Sequence, residues 1–305
     1  MSIFKWFASF VLAATIVPAL PAEPHCPRNA ASLRLRLVQR SQIIVPIKIN
    51  HTGPYDFLVD TGAQVSIVDP ALAAELHLKM EGTVGFVGVG FRTHPSFAHL
   101  DTLEAGPYAT ANFWVVIQDL GFLQLADPRI RGILGGNFLE HLDVLIDYAH
   151  SILCLDDAKV MQPEVKGRHI ALVTPPHPDD AALATEPLIV PIHLTGVARR
   201  SLLVLLDSGL GTPVLFDVGK AVAGGFSVDL PIRARGPDGI ERAFSVLQPQ
   251  DMQIGTLTFH RISFVTPTAT RKEIPRLEVD GLLPTALFRR VYISYADRFV
   301  VLEPW

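Results

Sequence analysis

Twice in this chain an apolar, strand-like run ends in a carboxylate followed by a turn. The first is Phe57-Leu58-Val59-Asp60-Thr61-Gly62-Ala63 and the second is Leu203-Val204-Leu205-Leu206-Asp207-Ser208-Gly209-Leu210. A carboxylate delivered by a buried strand is costly unless it is hydrogen-bonded, paired or protonated. Two such acids that face each other can share one proton.

The pairing is one landmark in a longer recurrence. Ile43-Ile44-Val45-Pro46-Ile47-Lys48-Ile49 matches Leu188-Ile189-Val190-Pro191-Ile192-His193-Leu194, Gly132-Ile133-Leu134 matches Gly281-Leu282-Leu283, and Ile146-Asp147-Tyr148 matches Ile293-Ser294-Tyr295. Four landmarks in one order at a nearly constant offset predict two units in tandem, at 32–157 and 187–305. The turn-rich segment 158–186, with Pro175-Pro176-His177-Pro178-Asp179-Asp180, reads as the linker.

Within each unit, short apolar or alternating runs broken by Gly, Pro and Asp predict mostly strand. After Asp60, Val65 to Val68 reads as a strand, and Asp69-Pro70 supplies an N-cap and a first-turn proline for a helix from Ala71 to His77. The second unit predicts a strand at Pro213 to Phe216, a cap at Asp217 and a helix at Val218 to Ala223. Val144 to Tyr148 with Ile152 to Leu155, and Val291 to Tyr295 with Phe299 to Leu302, read as hairpins. The fold class expected is all-β with short helices, since the long helices of a doubly wound sheet are missing.

Residues 1–22 carry Lys5, an apolar stretch from Trp6 to Leu20 and Pro21-Ala22, which reads as a secretory signal peptide; its apolar part is too short for a membrane span. A secreted or periplasmic protein is expected, with no stable membrane insertion after signal cleavage. The net charge of −4 includes no basic patch suited to nucleic acid. Cys26 and Cys154 are the only cysteines; an oxidising compartment would allow a disulfide, and two free buried thiols are the other outcome left open.

Asp60-Thr61-Gly62-Ala63 with Gly132-Ile133-Leu134-Gly135, and Asp207-Ser208-Gly209 with Gly281-Leu282-Leu283, resemble the aspartic proteases, each half being similar to a retropepsin-type unit. The resemblance implies a bilobal acid-protease fold with a cleft between two pseudo-twofold-related lobes. It also implies catalytic acids at Asp60 and Asp207, cross-lobe hydroxyls from Thr61 and Ser208, and close backbone approach at Gly62 and Gly209. Two carboxylates roughly 3 Å apart cannot both ionise, so one proton is shared and the anionic partner activates a water for attack on a peptide carbonyl. No cofactor or metal is required, and the partner is a peptide or protein substrate. Because Ala63 and Leu210 offer no hydroxyl to lower the dyad's pKa, a mildly acidic working pH is expected.

Gly82 to Gly90 falls where this family carries its flap, with Gly85, Phe86, Val87 and Gly88 as the candidates. Arg235 to Gly239 reads as a structural turn in the second unit. The histidines form no metal-ligand pattern and no Gly-x-Ser-x-Gly elbow is present. Trp305 is expected to pack as a terminal anchor. The second unit departs from the pattern at Pro284, where the first has Gly135, and at Leu210. Proline could be accommodated in a first helical turn, or it could mark a drifted lobe. The reading is therefore a monomeric aspartic endopeptidase. Its alternatives are a catalytically silent peptide-binding pseudoprotease and a homodimer that pairs Asp60 with its own twin.

Overall fold

The computed structural model describes residues 26–27, 30–88, 91–174, 185–195, 201–216, 231–235, 240–268 and 279–305. The predicted signal segment 1–22, the helix predicted at Val218 to Ala223 and most of the turn at Arg235 to Gly239 lie outside them. Among the described residues no helix is long and apolar enough to cross a membrane.

The fold is mostly β with short helices, in three main sheets. In neighbour order, the first sheet runs Arg36–Val38, Gln42–Ile49, Thr52–Val59, Ile130–Leu134, Ile67–Val68, Tyr108–Ile117, Ser96–Ala105, Met80–Thr83. The second runs Leu257–Ile262, Gln250–Ile254, Ile189–Leu194, Leu202–Asp207, Gly281–Pro284, Val214–Leu215, Val265–Pro267, Glu241–Val246, Ile232–Arg235. Both place a late strand parallel to the strand leading into the acid: Ile133 pairs with Leu58, and Leu282 with Leu205. That strand also pairs antiparallel with the short strand after the turn. Each acidic turn is thereby gripped from beneath.

A third sheet joins the halves, in the order Ala31–Arg34, Ile152–Asp156, Asp143–Asp147, Arg290–Ser294, Phe299–Glu303, Ile170–Ala171. Its central contact is antiparallel, Val144 against Ile293 and Ile146 against Val291. Alternation along these strands splits their side chains. Val144, Ile146, Val291 and Ile293 enter one core cluster that also takes in Val45, Val59, Val190 and Leu206. Leu145, Cys154, Tyr292 and Val301 form a smaller cluster on the other face. One core thus runs through both halves, and it holds the strands that aim the two acids.

Several elements differ from expectation. The first helix is Pro70–Glu75, capped by Asp69 Oδ1, which accepts from the Ala71 and Leu72 N–H groups at 2.8 and 3.1 Å. It stops before His77, whose φ of 52° is left-handed. The predicted linker is partly built structure: Ala158–Met161 is helical with Met161 buried, and Ile170–Ala171 joins the third sheet. Cys26 and Cys154 form a disulfide with Cα atoms 5.6 Å apart, tying the segment before Ala31 to the third sheet. Trp305 is 69% exposed rather than packed, although its indole N–H donates to the Ala286 carbonyl.

Candidate active site

The strand Thr52–Val59 arrives at Asp60 with Phe57, Leu58 and Val59 fully buried. The Asp60 N–H donates to the Leu134 carbonyl at 3.0 Å, so the crossing strand fixes where the acid begins. The carboxylate then caps its own turn. Asp60 Oδ1 accepts from the Gly62 N–H at 2.8 Å and the Ala63 N–H at 3.2 Å. Asp207 Oδ1 does the same with the Gly209 N–H at 2.8 Å, and Leu210 N–H also reaches that carboxylate.

Thr61 and Ser208 lock the two turns to each other. Thr61 Oγ1 donates to the Leu206 carbonyl (2.9 Å) and accepts from the Ser208 N–H (3.1 Å). Ser208 Oγ donates to the Val59 carbonyl (2.7 Å) and accepts from the Thr61 N–H (3.1 Å). Each buried hydroxyl gives one bond and takes one, across a gap of 147 residues in sequence. Lobe closure is therefore written into the same tripeptides that carry the acids.

The glycines explain how closely the turns approach. A Cβ on Gly62 would lie 2.7 Å from Asp207 Cγ, and one on Gly209 would lie 2.6 Å from Asp60 Oδ2. No side chain fits at either place. The two carboxyl groups share a side-chain hydrogen bond. Burial pushes both acids above the ordinary carboxylate range, and the Asp60 charge pushes Asp207 further up. Backbone N–H donors oppose the rise at both. The pair thus keeps a proton that isolated aspartates would release, and it titrates as a unit. Both residues retain an edge accessible to solvent.

Three supporting contacts had no local signal in the sequence. Ser66 Oγ accepts from the Gly135 N–H (3.0 Å) and donates to Asn137 Oδ1 (2.8 Å), while Asn137 Nδ2 donates to the Trp114 carbonyl (3.0 Å). Gln42 reaches from the first lobe to the second turn, Nε2 donating to the Gly209 carbonyl at 3.3 Å. Gln64 Nε2 donates to the Thr185 carbonyl (2.8 Å), holding the end of the interlobe connection against the first turn.

Pro284 ends the strand Gly281–Pro284 at φ −61° and ψ 131°, then caps a 3-10 turn at Thr285–Leu287. It sits opposite Asp207 in the parallel ladder, and the crossing strand keeps its register. Proline is accommodated here in extended backbone at a helix boundary. The flap candidates form a hairpin, Phe86–Gly88 against Phe91–Thr93, with Gly88 opposite Phe91. A Cβ on Gly85, at its base, would meet nothing within 4 Å. Val89 and Gly90, between the two strands, lie outside the described residues.

Residues 45–138 match a family model described as Aspartyl protease. No curated protein matches the chain. Among solved structures the chain is similar to a retropepsin-like aspartic protease from Rickettsia conorii, with 18% identity and a TM-score of 0.32, over 41% of this chain and 89% of that one.

Proposed function

We propose, for a chain whose residues 45–138 match the aspartyl protease family, that both lobes together make a single-chain endopeptidase with Asp60 and Asp207 as its dyad. The observation that supports this most is the pair itself: two acids from two turns, hydrogen-bonded to each other, each capped by its own backbone and each facing the other turn's glycine. In this reading a water held between the carboxyls is deprotonated by the ionised member and attacks the peptide carbonyl. The protonated member supports the developing oxyanion. Neither a metal nor a covalent enzyme intermediate enters the steps.

The matching order of strands in the two lobe sheets supports an internal duplication as the origin of the two turns. Having both turns in one chain disfavours a homodimer that pairs Asp60 with its twin. The segment 1–22 and the Cys26–Cys154 disulfide support export to an oxidising compartment, secreted or periplasmic. The hairpin at 86–93 is assigned as the flap.

Separate Asp60→Asn and Asp207→Asn variants, assayed on a mixed peptide library from acid to neutral pH, test the assignment. Loss of cleavage by at least ~10²-fold in both is expected, the scale of a missing acid or base. Loss at Asp60 alone would support the homodimer. A wild-type chain that binds peptides without cutting them would make it a pseudoprotease.

A further inference from the structure

The residue after each acidic tripeptide differs in bulk, a methyl at Ala63 and an isobutyl at Leu210. Both sit directly against their acids, because their N–H groups donate to the Asp60 and Asp207 carboxylates. Both are half-buried. Each leans on an apolar cluster separate from the main core.

Beside Asp60, Ala63 packs with Val84 and Phe122 against a cluster that includes Val38, Ile44 and Ile67. Val84 stands just before the hairpin at 86–93, its N–H bonded to the Pro95 carbonyl at 3.0 Å. This wall therefore rises from the acid toward the hairpin, with only a methyl group at its foot. Beside Asp207, Leu210 packs with Phe244 and Val246 against Ile189, Leu205 and Phe216. That wall has three more carbons in the corresponding place. In both turns the N–H groups two and three residues past the acid donate to its carboxylate, so Leu210 places three more carbons beside the second acid than Ala63 places beside the first.

We propose that Ala63 and Leu210 make the two sides of the cleft unequal: a bulky apolar substrate residue is accepted beside the Asp60 wall, and only a small one beside the Asp207 wall. This rests on the endopeptidase reading and deepens it. A single methylene in an apolar pocket changes selectivity by roughly 10-fold or more, so three carbons suffice to exclude an aromatic side chain.

The test compares wild type, Leu210→Ala, Leu210→Val and Ala63→Leu on one peptide library, with both new termini of each product sequenced. Wild type is expected to leave a bulky apolar residue on one side of the cut and a small residue on the other. Leu210→Ala should raise kcat/KM at least ~10-fold for peptides with Phe on the small side, leaving the bulky side unchanged, and Leu210→Val should fall between. Ala63→Leu should lower kcat/KM by a similar factor for peptides with Phe on the bulky side. Equal size tolerance on both sides in wild type overturns the proposal, as does a Leu210→Ala enzyme that cuts with unchanged preference; in either case the endopeptidase reading survives. Absence of any cleavage by wild type overturns both.

Discussion

The two lobes present the same turn to the cleft but brace it with different chemistry. In the first, the polar set Ser66, Gly135 and Asn137 stands behind Asp60. The same places in the second hold Pro213, Pro284 and Ala286. The match is fixed by the ladders, since Ile67 opposes Ile133 as Val214 opposes Leu282. The carbonyl before each short strand keeps its role: Ser66 accepts from Val116 N–H at 3.0 Å and Pro213 from Val265 N–H at 2.9 Å. The side-chain bonds vanish together with their partners. Pro284 has no N–H that needs an acceptor, and Pro213 has no hydroxyl or N–H that needs Asn137's counterpart. Removing donor and acceptor together is nearly neutral, whereas removing one alone strands a buried group. In this brace the donor and acceptor side chains are exchanged as a set, while Gln42 Oε1, beside the second turn, is a buried acceptor with no partner among the described residues.

The outer parts diverge in the same manner. The first lobe has one long hairpin, Ser96–Ala105 with Tyr108–Ile117, turning at Gly106. In the second it is split into Glu241–Val246 and Gln250–Ile254 on one side, Leu257–Ile262 and Val265–Pro267 on the other, turning at Gly255. Both turn glycines have φ of +58°. What both lobes keep is the cross-lobe lock of Thr61 and Ser208.

The comparison breaks most visibly at the glycines. Gly62→Ala and Gly209→Ala should each lower kcat/KM by roughly 10³-fold, about 4 kcal/mol, because each new methyl displaces the opposite lobe's carboxyl. A variant that loses less than ~10-fold would mean that the turns do not need to approach this closely.

Next in size is the disulfide, which staples the sheet edge of the first half and has no counterpart at the other edge, Ile170–Ala171. Replacing Cys26 and Cys154 together by Ala should cost about 2–5 kcal/mol in urea unfolding, since the bond closes 128 residues. An unchanged midpoint would show that the edge strand holds without it.

Smaller still is Ser66→Ala, which leaves the Gly135 N–H without its acceptor and should destabilise by ~1–3 kcal/mol. Pro213→Ala, at the equivalent place, should destabilise by a similar ~1–3 kcal/mol, because it gives the buried backbone an N–H for which Ala286 offers no acceptor in place of Asn137 Oδ1. An unchanged stability in Pro213→Ala would contradict the coordinated exchange.

The sequence made the acids legible because each follows an apolar run and precedes a short tripeptide, both local signals. Asp69 was readable as a cap for the same reason, standing just before Pro70. What stayed hidden was contact across distance. Ser66 meets Asn137 71 residues later and Gln42 meets Gly209 167 residues later, and neither residue type nor spacing announces such a meeting. Strand ends were over-read for a related cause: Val65 to Val68 shortens to Ile67–Val68 because the Ser66 N–H is taken by the Asn137 side chain instead of a ladder. Trp305, expected to pack as a terminal anchor, lies mostly in solvent.

The shared proton offers the finest test of whether the two turns act as one. Both acids have folded-state pKa values raised above the ordinary carboxylate value, chiefly by burial. Between the unfolded value near 4 and the raised folded values, the native chain holds more protons than the unfolded one, so stability falls as pH rises. One retained proton corresponds to a slope of about −1.4 kcal/mol per pH unit through that window. Other carboxylates contribute in the opposite direction, Asp127 among them, since Arg129 and Arg36 hold it below the usual range. The dyad's part is therefore read as a difference from a variant: Asp207→Asn removes one acid of the pair, and its unfolding free energy measured from pH 4 to 7 should show a smaller downward contribution than wild type, Asp60 keeping the part that its own burial causes. On the proposed endopeptidase reading the same ionisation would set the basic limb of activity, so kcat/KM should fall as pH rises through the window in which wild type and Asp207→Asn stabilities diverge. Parallel stability curves for wild type and variant would show that no proton is shared, and that the two turns meet without coupling.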